Sequence, residues 1–446
     1  MFEYEESRLR EIAAAVLGFA REFGATDAAV DISENSGLSV NVRKGRIETI
    51  EQNRDKGLGV TVYVGQRRGN ASSTDFAPSA LRETVKAAWE IARFTAEDPC
   101  AGLPDRDTLA TEQPDLKVFH EWPITVDEAV AIAQRAERAA FDTSPAIANS
   151  DGASVSVSHG HFIAANSLGF VGGYRYSRHS IACAPIARHR GEMQRDDWYS
   201  SHCDPARLAD PQALGRYAAE RALARLGARR LGTRRVPVLF EAPLACGLLG
   251  HLVQAVSGGA LYRRTSFLLD SLGKPVFPAH IDISEDPFVR GGKGSSPFDE
   301  EGVRVRPRQV VDAGRLQGYF LSSYSARKLG MKTTGNAGGS HNLVLASRLT
   351  QPGDDLDEML RKLGTGLFVT ELMGQGVNYV TGDYSRGASG FWVENGRIAY
   401  PVQEITIAGN LRDMFMGIQA VGADAYTFGS KTVGSVLIDR MTVAGN

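Results

Sequence analysis

The chain has 446 residues, a formal net charge of −2 and 43% apolar residues. Its length exceeds what one hydrophobic core usually fills, so two domains are expected, and its composition is that of a folded globular protein. The near-zero net charge argues against the basic surface on which nucleic-acid binding normally depends, so no direct nucleic-acid contact is expected.

The N-terminal residues and the cysteines together indicate a cytoplasmic protein. The first 23 residues mix acidic and basic side chains where a secretory signal needs a basic tip and an apolar block, and they predict an amphipathic helix. The four cysteines lie far apart without a CxxC pair, which is typical of reduced thiols. They are Cys100, Cys183, Cys203 and Cys246.

Hairpins and amphipathic helices are predicted for the first half of the chain. Residues 36–74 contain β-type runs separated by glycine turns, which predicts an antiparallel sheet. The apolar side chains within residues 79–94 recur at helical spacing, which predicts a helix. One face of this helix is expected to hold Leu81, Val85, Ala88 and Ile91.

The next elements are a helix with a capping box at Thr125 and Glu128, further strands over residues 148–195, and a helix over residues 211–232. The basic stretch 221–235 is expected to be a solvated helix end and linker.

The second half of the chain is predicted to be rich in strands. A strand over residues 234–241 precedes a helix that carries His251, and Asn395-Gly396 predicts a type I′ hairpin turn. Strands that follow one another, without regular helix alternation, favour an α+β fold. We expect an N-terminal domain of helices and antiparallel strands over residues 1–230 and a strand-rich C-terminal domain over residues 231–446.

Residues 242–262 contain no charged side chain and are long enough to cross a bilayer. They also carry a proline, a histidine and four glycines, so their apolar density is poor for a membrane span. We expect a buried helix followed by a glycine turn, and no membrane contact.

Several short motifs match a known pattern only in part. Gly364-Thr-Gly366 precedes a strand and lacks the third glycine of a dinucleotide fingerprint, and Ser325–Lys328 matches S-x-x-K without its companion motifs. His159 and His161 alternate along one strand, but nothing nearby supplies a third ligand, so partly exposed strand histidines are expected. Tight turns explain the glycine-rich residues 335–342 and 382–390, so neither receives a binding role.

His251 and Cys246 are the two candidate metal ligands of the predicted apolar helix. Residues four before and four after His251 are Gly247 and Ala255, which cannot bind a metal. Cys246 lies five positions before His251, which places their side chains about 140° apart on a regular helix. They could converge only if the helix were distorted.

Long stretches of the sequence resemble one family, the TldE/PmbA branch of the TldD/PmbA metalloproteases (peptidase U62), formerly described as modulators of DNA gyrase. The resemblance covers nearly the whole chain. It is carried by SSTDFAPSALRETVKAAWEIARFTAEDPCAG, YRRTSFLLDSLGKPVFP, SYSARKLGMKTTGNAGG and GTGLFVTELMGQGVNYVTGDYSRGASGFWVENGRIAYPVQEITIAGNL.

The resemblance implies that the zinc site is degenerate in this chain. The TldD-type subunit carries H-E-x-x-x-H on a helix and a cysteine near its C-terminus. On this sequence the two histidines fall on Cys246 and His251, the glutamate on Gly247, and the cysteine on Val433. We therefore expect no catalytic residue and no metal in this chain, with the zinc in a TldD-like partner.

The function implied by the resemblance is that of a subunit of a cytoplasmic zinc metalloprotease. Its expected substrates are unfolded peptides, such as leader peptides of microcins and antitoxin-type proteins. One alternative is an active metallopeptidase that uses Cys246 and His251 with a third ligand such as Asp270 or His341. Another is a regulatory protein that binds DNA gyrase without proteolysis. A homodimer in the absence of the partner is left open.

Overall fold

The computed structural model describes residues 2–445. The helices, in chain order, are α1 Glu6–Glu22, α2 Pro78–Phe94, α3 Val126–Thr143, α4 Pro211–Ala224, α5 Ala242–Ala255, α6 Gly258–Tyr262, α7 Ser323–Lys328, α8 Leu356–Leu363 and α9 Leu411–Met416, with short 3₁₀ turns at Arg106–Thr108 and Pro205–Arg207.

The strands, in chain order, are β1 Asp27–Arg43, β2 Arg46–Val64, β3 Arg67–Ser73, β4 Ile147–Asn166, β5 Val171–His189, β6 Glu192–Arg195, β7 Trp198–His202, β8 Arg234–Phe240, β9 Ile281–Asp286, β10 Arg308–Asp312, β11 Arg315–Leu316, β12 Asn342–Ser347, β13 Gly366–Met373, β14 Asp383–Glu394, β15 Arg397–Asn410, β16 Ile418–Val421, β17 Tyr426–Phe428, β18 Lys431–Val433 and β19 Val436–Ala444.

The chain divides into two compact units. The first unit runs to Leu223 and takes in two later segments, Ser296–Val305 and Ser322–Ala337. The second unit contains the rest of the chain from Ala224 onward. The sequence predicts a single boundary between residues 230 and 231, whereas here two segments from the second half of the chain return to the first unit. Apolar periodicity shows that a segment is buried but does not show which core buries it.

The first unit contains an antiparallel sheet of the order β3-β2-β1-β4-β5-β6, and β7 also pairs with β5. Sequential strands are neighbours on both sides of the central β1–β4 pair, in which Val40 lies opposite Val155. The predicted hairpins are therefore confirmed. Helices α1 and α2 pack on the sheet through buried apolar side chains such as Leu9, Val16 and Val85.

The apolar face of α2 follows the predicted helical period except at one position. Leu81, Val85 and Ala88 are buried, but Ile91 is 49% exposed and Ala92 takes its place. The prediction for Ile91 is therefore wrong. Spacings of four, three and four residues follow the 3.6-residue repeat, and the smaller side chain of Ala92 packs closely against the sheet.

Helix α3 anchors the turn between β1 and β2. The predicted capping box at Thr125 and Glu128 is confirmed, since each side chain bonds to the backbone of the other residue. Glu137 lies within α3, and its side chain is buried. Its carboxylate accepts hydrogen bonds from the backbone N–H groups of Lys44 at 2.9 Å and Gly45 at 2.7 Å. Both turn residues have positive φ angles, so this carboxylate holds a tight turn in place.

The second unit contains two sheets. One has the order β11-β10-β9-β12-β18-β17, and the other has the order β15-β14-β13-β8-β19-β16. In the second sheet β15 also pairs with β19, so the strands β15, β14, β13, β8 and β19 form a closed ring. The chain is mixed in helices and strands without regular alternation, which confirms the predicted α+β class.

The hairpin between β14 and β15 has the predicted Asn-Gly turn. Glu394 and Arg397 form its last pair, and Asn395 and Gly396 have φ angles of 51° and 74°. These two positive angles are those of a type I′ turn, whose twist matches that of the flanking strands.

The basic stretch from residue 221 to 235 is less solvated than predicted. The side chains of Arg221 and Arg225 are each 12% exposed, and they pair with Asp196 and Glu371. Among residues 2–445, no helix is both long and apolar enough to cross a membrane.

We predict that Glu137→Gln destabilises the first unit by about 1–3 kcal/mol, because an amide can accept only one of the two N–H groups with its oxygen and leaves the other unbonded. Urea denaturation followed by tryptophan fluorescence measures the loss. Glu83→Gln on the exposed side of α2 is the matched control and should change the free energy of unfolding by less than about 0.5 kcal/mol. Equal effects of the two substitutions would contradict the anchoring role of Glu137.

Candidate functional site

The candidate site is built around α5, which follows β8 after a single residue. Pro243 lies in the first turn of α5, where its missing N–H would have no helical partner. One side of the helix is apolar and buried, and α5 packs against β17 and β18. The predicted buried helix is confirmed and ends at Ala255, but the glycines that were predicted to form a turn begin the short helix α6.

Cys246 points from α5 towards β17 and β18. The side chain is buried, and its thiol donates to the backbone carbonyl of Lys431 at 3.4 Å, with the carbonyl of Tyr426 at 3.7 Å. Burial raises the pKa of the thiol. The backbone of Val433 lies close to the sulfur and lowers this pKa by a smaller amount. The structure therefore brings Cys246 and Val433 together, with the sulfur as a neutral hydrogen-bonded thiol at pH 7.

His251 is directed towards a different part of the second unit. Its Nδ1 lies 2.8 Å from the hydroxyl oxygen of Tyr379, and its ring meets the ring of Tyr384 edge-on at a centroid distance of 5.8 Å. Burial and, to a smaller extent, the charge of Arg386 lower the pKa of His251 to about 4. The imidazole is thus neutral at physiological pH.

Gly247 lies on the exposed side of α5 and leaves its surroundings open. A Cβ atom placed on it would have no atom within 4 Å, so the absence of a carboxylate here does not result from crowding. Val433, by contrast, is buried at 1% exposure.

The two proposed third ligands lie elsewhere. Asp270 is exposed, has a φ of 55°, and acts electrostatically on Tyr319. The backbone N–H of His341 donates to Glu285, and its Nδ1 lies 3.3 Å from the carbonyl oxygen of Gly294. Within the described range, no three or more His, Cys, Asp or Glu side chains form a group that could hold a metal ion.

The S-x-x-K residues serve local structure. The hydroxyl of Ser325 completes a capping box with Ser322 at the start of α7. The ammonium of Lys328 lies 2.9 Å from the carboxylate of Asp98. The hydroxyl of Ser325 instead bonds to Ser322. This arrangement gives Ser325 no base that could activate it as a nucleophile.

His159 and His161 are buried, at 7% and 2% exposure, so the prediction that they are partly exposed is wrong. The Nε2 of His159 accepts from the backbone N–H of Trp122, and that of His161 lies 3.1 Å from the carboxylate of Glu34. Burial lowers the pKa of His159 to about 4. The covering segments come from distant parts of the sequence, which a strand pattern does not reveal.

Sequence reasoning missed the aromatic and cationic residues that surround His251. Tyr384 and Arg386 lie in the glycine-rich stretch 382–390, where turn chemistry alone explained the composition. The available signal was their spacing of two residues, because side chains two apart on a strand share a face. Burial raises the pKa of Tyr384 to about 12, so its hydroxyl stays neutral.

We predict that the ring of His251 stays neutral down to about pH 4 and that Arg386→Gln raises its pKa while leaving it below 6.5, since burial is the larger cause. The unfolded chain binds this proton at higher pH than the folded chain, so the neutral histidine contributes stability that is lost as pH falls from about 6.5 to about 4. NMR titration of the histidine ring signals, assigned with His251→Gln, measures both values. A His251 pKa near 6.5 in the natural chain would contradict this account.

Comparison with known proteins identifies one family over most of the chain. The domain 1, central domain and C-terminal domain of the PmbA/TldA metallopeptidases match residues 28–92, 119–226 and 233–445, respectively. Metalloprotease PmbA of Escherichia coli O157:H7 is 47% identical over 444 residues, which cover 99% of this chain and 97% of that protein.

Solved structures have the same fold. A Bacteroides thetaiotaomicron protein described as a candidate modulator of DNA gyrase has a TM-score of 0.92 and 25% identity, and the alignment covers 99% of this chain and 100% of that one. TldE from Thermococcus kodakarensis has a TM-score of 0.84 over 97% of this chain and 100% of its own, and at 18% identity it shows the fold alone. From the matches to all three domains and the near-complete alignment at 47% identity, this chain belongs to the PmbA/TldD metallopeptidase family.

Proposed function

We propose that this chain is the non-catalytic subunit of a cytoplasmic zinc metalloprotease and that a TldD-like partner carries the zinc. One observation supports the proposal most directly. The resemblance to the family places Cys246 and His251 on the two histidine positions of its zinc motif, yet the thiol bonds to backbone carbonyls and the imidazole bonds to Tyr379. Zinc requires three or four converging protein ligands, and two diverging ones do not fit it.

The residue at the glutamate position of the motif also supports a non-catalytic role. In a metal-dependent peptidase a positioned carboxylate takes the proton of the attacking water, which contributes about 10²–10⁴-fold to the rate. Gly247 has no side chain to accept that proton. No catalytic step is therefore assigned to this chain.

We further propose that the complex acts on unfolded or flexible peptides, such as leader peptides of microcins and antitoxin-type proteins. This chain would then supply part of the wall of the peptide-binding space and stabilise the active subunit. The unpaired backbone groups of a strand edge can hold an extended peptide with little demand on its sequence.

A second candidate function is binding of DNA gyrase without proteolysis. The description of the Bacteroides thetaiotaomicron protein favours it. Capture of this chain from an extract of its own cells distinguishes the two functions. A gyrase-binding protein should recover gyrase and no TldD-like chain.

We predict that an unstructured peptide is cleaved by the TldD-like chain and faster by its mixture with this chain, but not by this chain alone. The reason is that the water-activating groups lie in the partner. A fluorogenic peptide assay with each chain alone and with the two combined measures the three rates. A chelator should abolish all cleavage. Metal-dependent cleavage by this chain alone would overturn the proposal.

We also predict that His251→Ala lowers the stability of this chain by about 1 kcal/mol, through loss of the bond to Tyr379, and leaves the activity of the mixture within about twofold. Thermal unfolding and the peptide assay give the two values. Zinc content after dialysis is the accompanying measurement, with the TldD-like chain as positive control. Equimolar zinc in the natural chain that His251→Ala removes would establish the active-peptidase alternative instead.

A further inference from the structure

Arg386 lies on β14, two residues after Tyr384, so the two side chains share one face of the strand. The ring of Tyr384 meets the ring of His251, which places this face of β14 against α5. The charge of Arg386 acts on both His251 and Tyr379. A guanidinium therefore lies beside the helix that carries the degenerate zinc motif.

This guanidinium has no acidic partner within residues 2–445. Arg386 is partly exposed, but its Nε is buried and has no hydrogen-bond acceptor among these residues. Two arginines whose side chains have little exposure, Arg308 and Arg221, follow the usual rule that a desolvated charge is paired. Arg308 lies 2.6 Å from Glu285, and Arg221 lies 3.2 Å from Asp196.

The side chains on which the charge of Arg386 acts include no carboxylate. They are the imidazole of His251 and the phenol rings of Tyr379 and Tyr384. A guanidinium presents a planar fork of N–H groups that matches a carboxylate in shape and in charge. A phosphate dianion would leave one negative charge without a partner here.

We propose that Arg386 is a binding site for a carboxylate of the peptide substrate, held by the guanidinium fork beside His251 and Tyr379. The carboxylate comes from the peptide's C-terminus or from an acidic side chain. This inference deepens the proposed function, on which it rests for the identity of the ligand as a substrate. It assigns substrate recognition to a subunit that lacks the catalytic groups.

The test measures binding of three capped peptides to the full chain by isothermal titration calorimetry. The first is acetyl-Gly-Ala-Ser-Ala-Gly-Ala with a free C-terminal carboxylate, the second is the same peptide as its amide, and the third is an amide with glutamate in place of the serine. Loss of a charge-assisted bond predicts about ten- to hundredfold weaker binding of the uncharged amide than of a peptide that supplies the carboxylate. The charged peptide that binds identifies the source of the carboxylate.

Arg386→Gln should remove this preference, whereas Arg397→Gln, an exposed arginine at the other end of the same hairpin, should retain it. The melting temperature of Arg386→Gln is expected to be unchanged or higher, because the substitution removes a charge that has no partner. If Arg386→Gln does not fold, the melting temperature of the unsubstituted chain tests the carboxylate preference. It should rise with millimolar carboxylate peptide and not with the uncharged amide.

Equal binding of the three peptides, or a preference that survives Arg386→Gln, would overturn the proposal. Loss of association with the TldD-like chain in Arg386→Gln, together with equal binding of the peptides, would place the guanidinium at the subunit interface instead. The titration uses this chain alone and requires no hydrolysis. A retained carboxylate preference without proteolysis in the mixed complex would therefore remove the proposed function and leave the binding site.

Discussion

The helical repeat of α5 determines what the candidate site can do. Cys246 and His251 are five residues apart, which on a regular helix separates their side chains by about 140°. The thiol accordingly meets the backbone of β17 and β18, and the imidazole meets Tyr379 and Tyr384 on other segments. The two side chains therefore point to different neighbours and do not converge on one point.

Desolvation gives the site its electrostatic character. Burial keeps the thiol of Cys246 protonated, holds His251 neutral and raises the pKa of Tyr384 to about 12. Against these neutral groups the charge of Arg386 has no acidic counterpart among the described residues. The planar guanidinium of Arg386 matches a carboxylate in shape and charge.

The first unit contains a buried charge that is fully bonded. The carboxylate of Glu137 accepts two backbone N–H groups of the β1–β2 turn and so links α3 to the far end of the antiparallel sheet. Glu137 is buried and has both of its backbone donors, whereas Arg386 is only partly buried and its Nε has no acceptor among the described residues.

The sequence by itself determined the features that depend on local periodicity and turn chemistry. These are the α+β class, the hairpins, the capping box at Thr125, the Asn395-Gly396 turn and the family. It also predicted the helical separation of Cys246 and His251. Tertiary structure alone decided that His159 and His161 are buried, that Ala92 replaces Ile91 in the core, and that Arg386 lies beside His251 without an acid. Each of these depends on which distant segment covers a side chain, and one sequence with its local spacing carries no record of such long-range contacts.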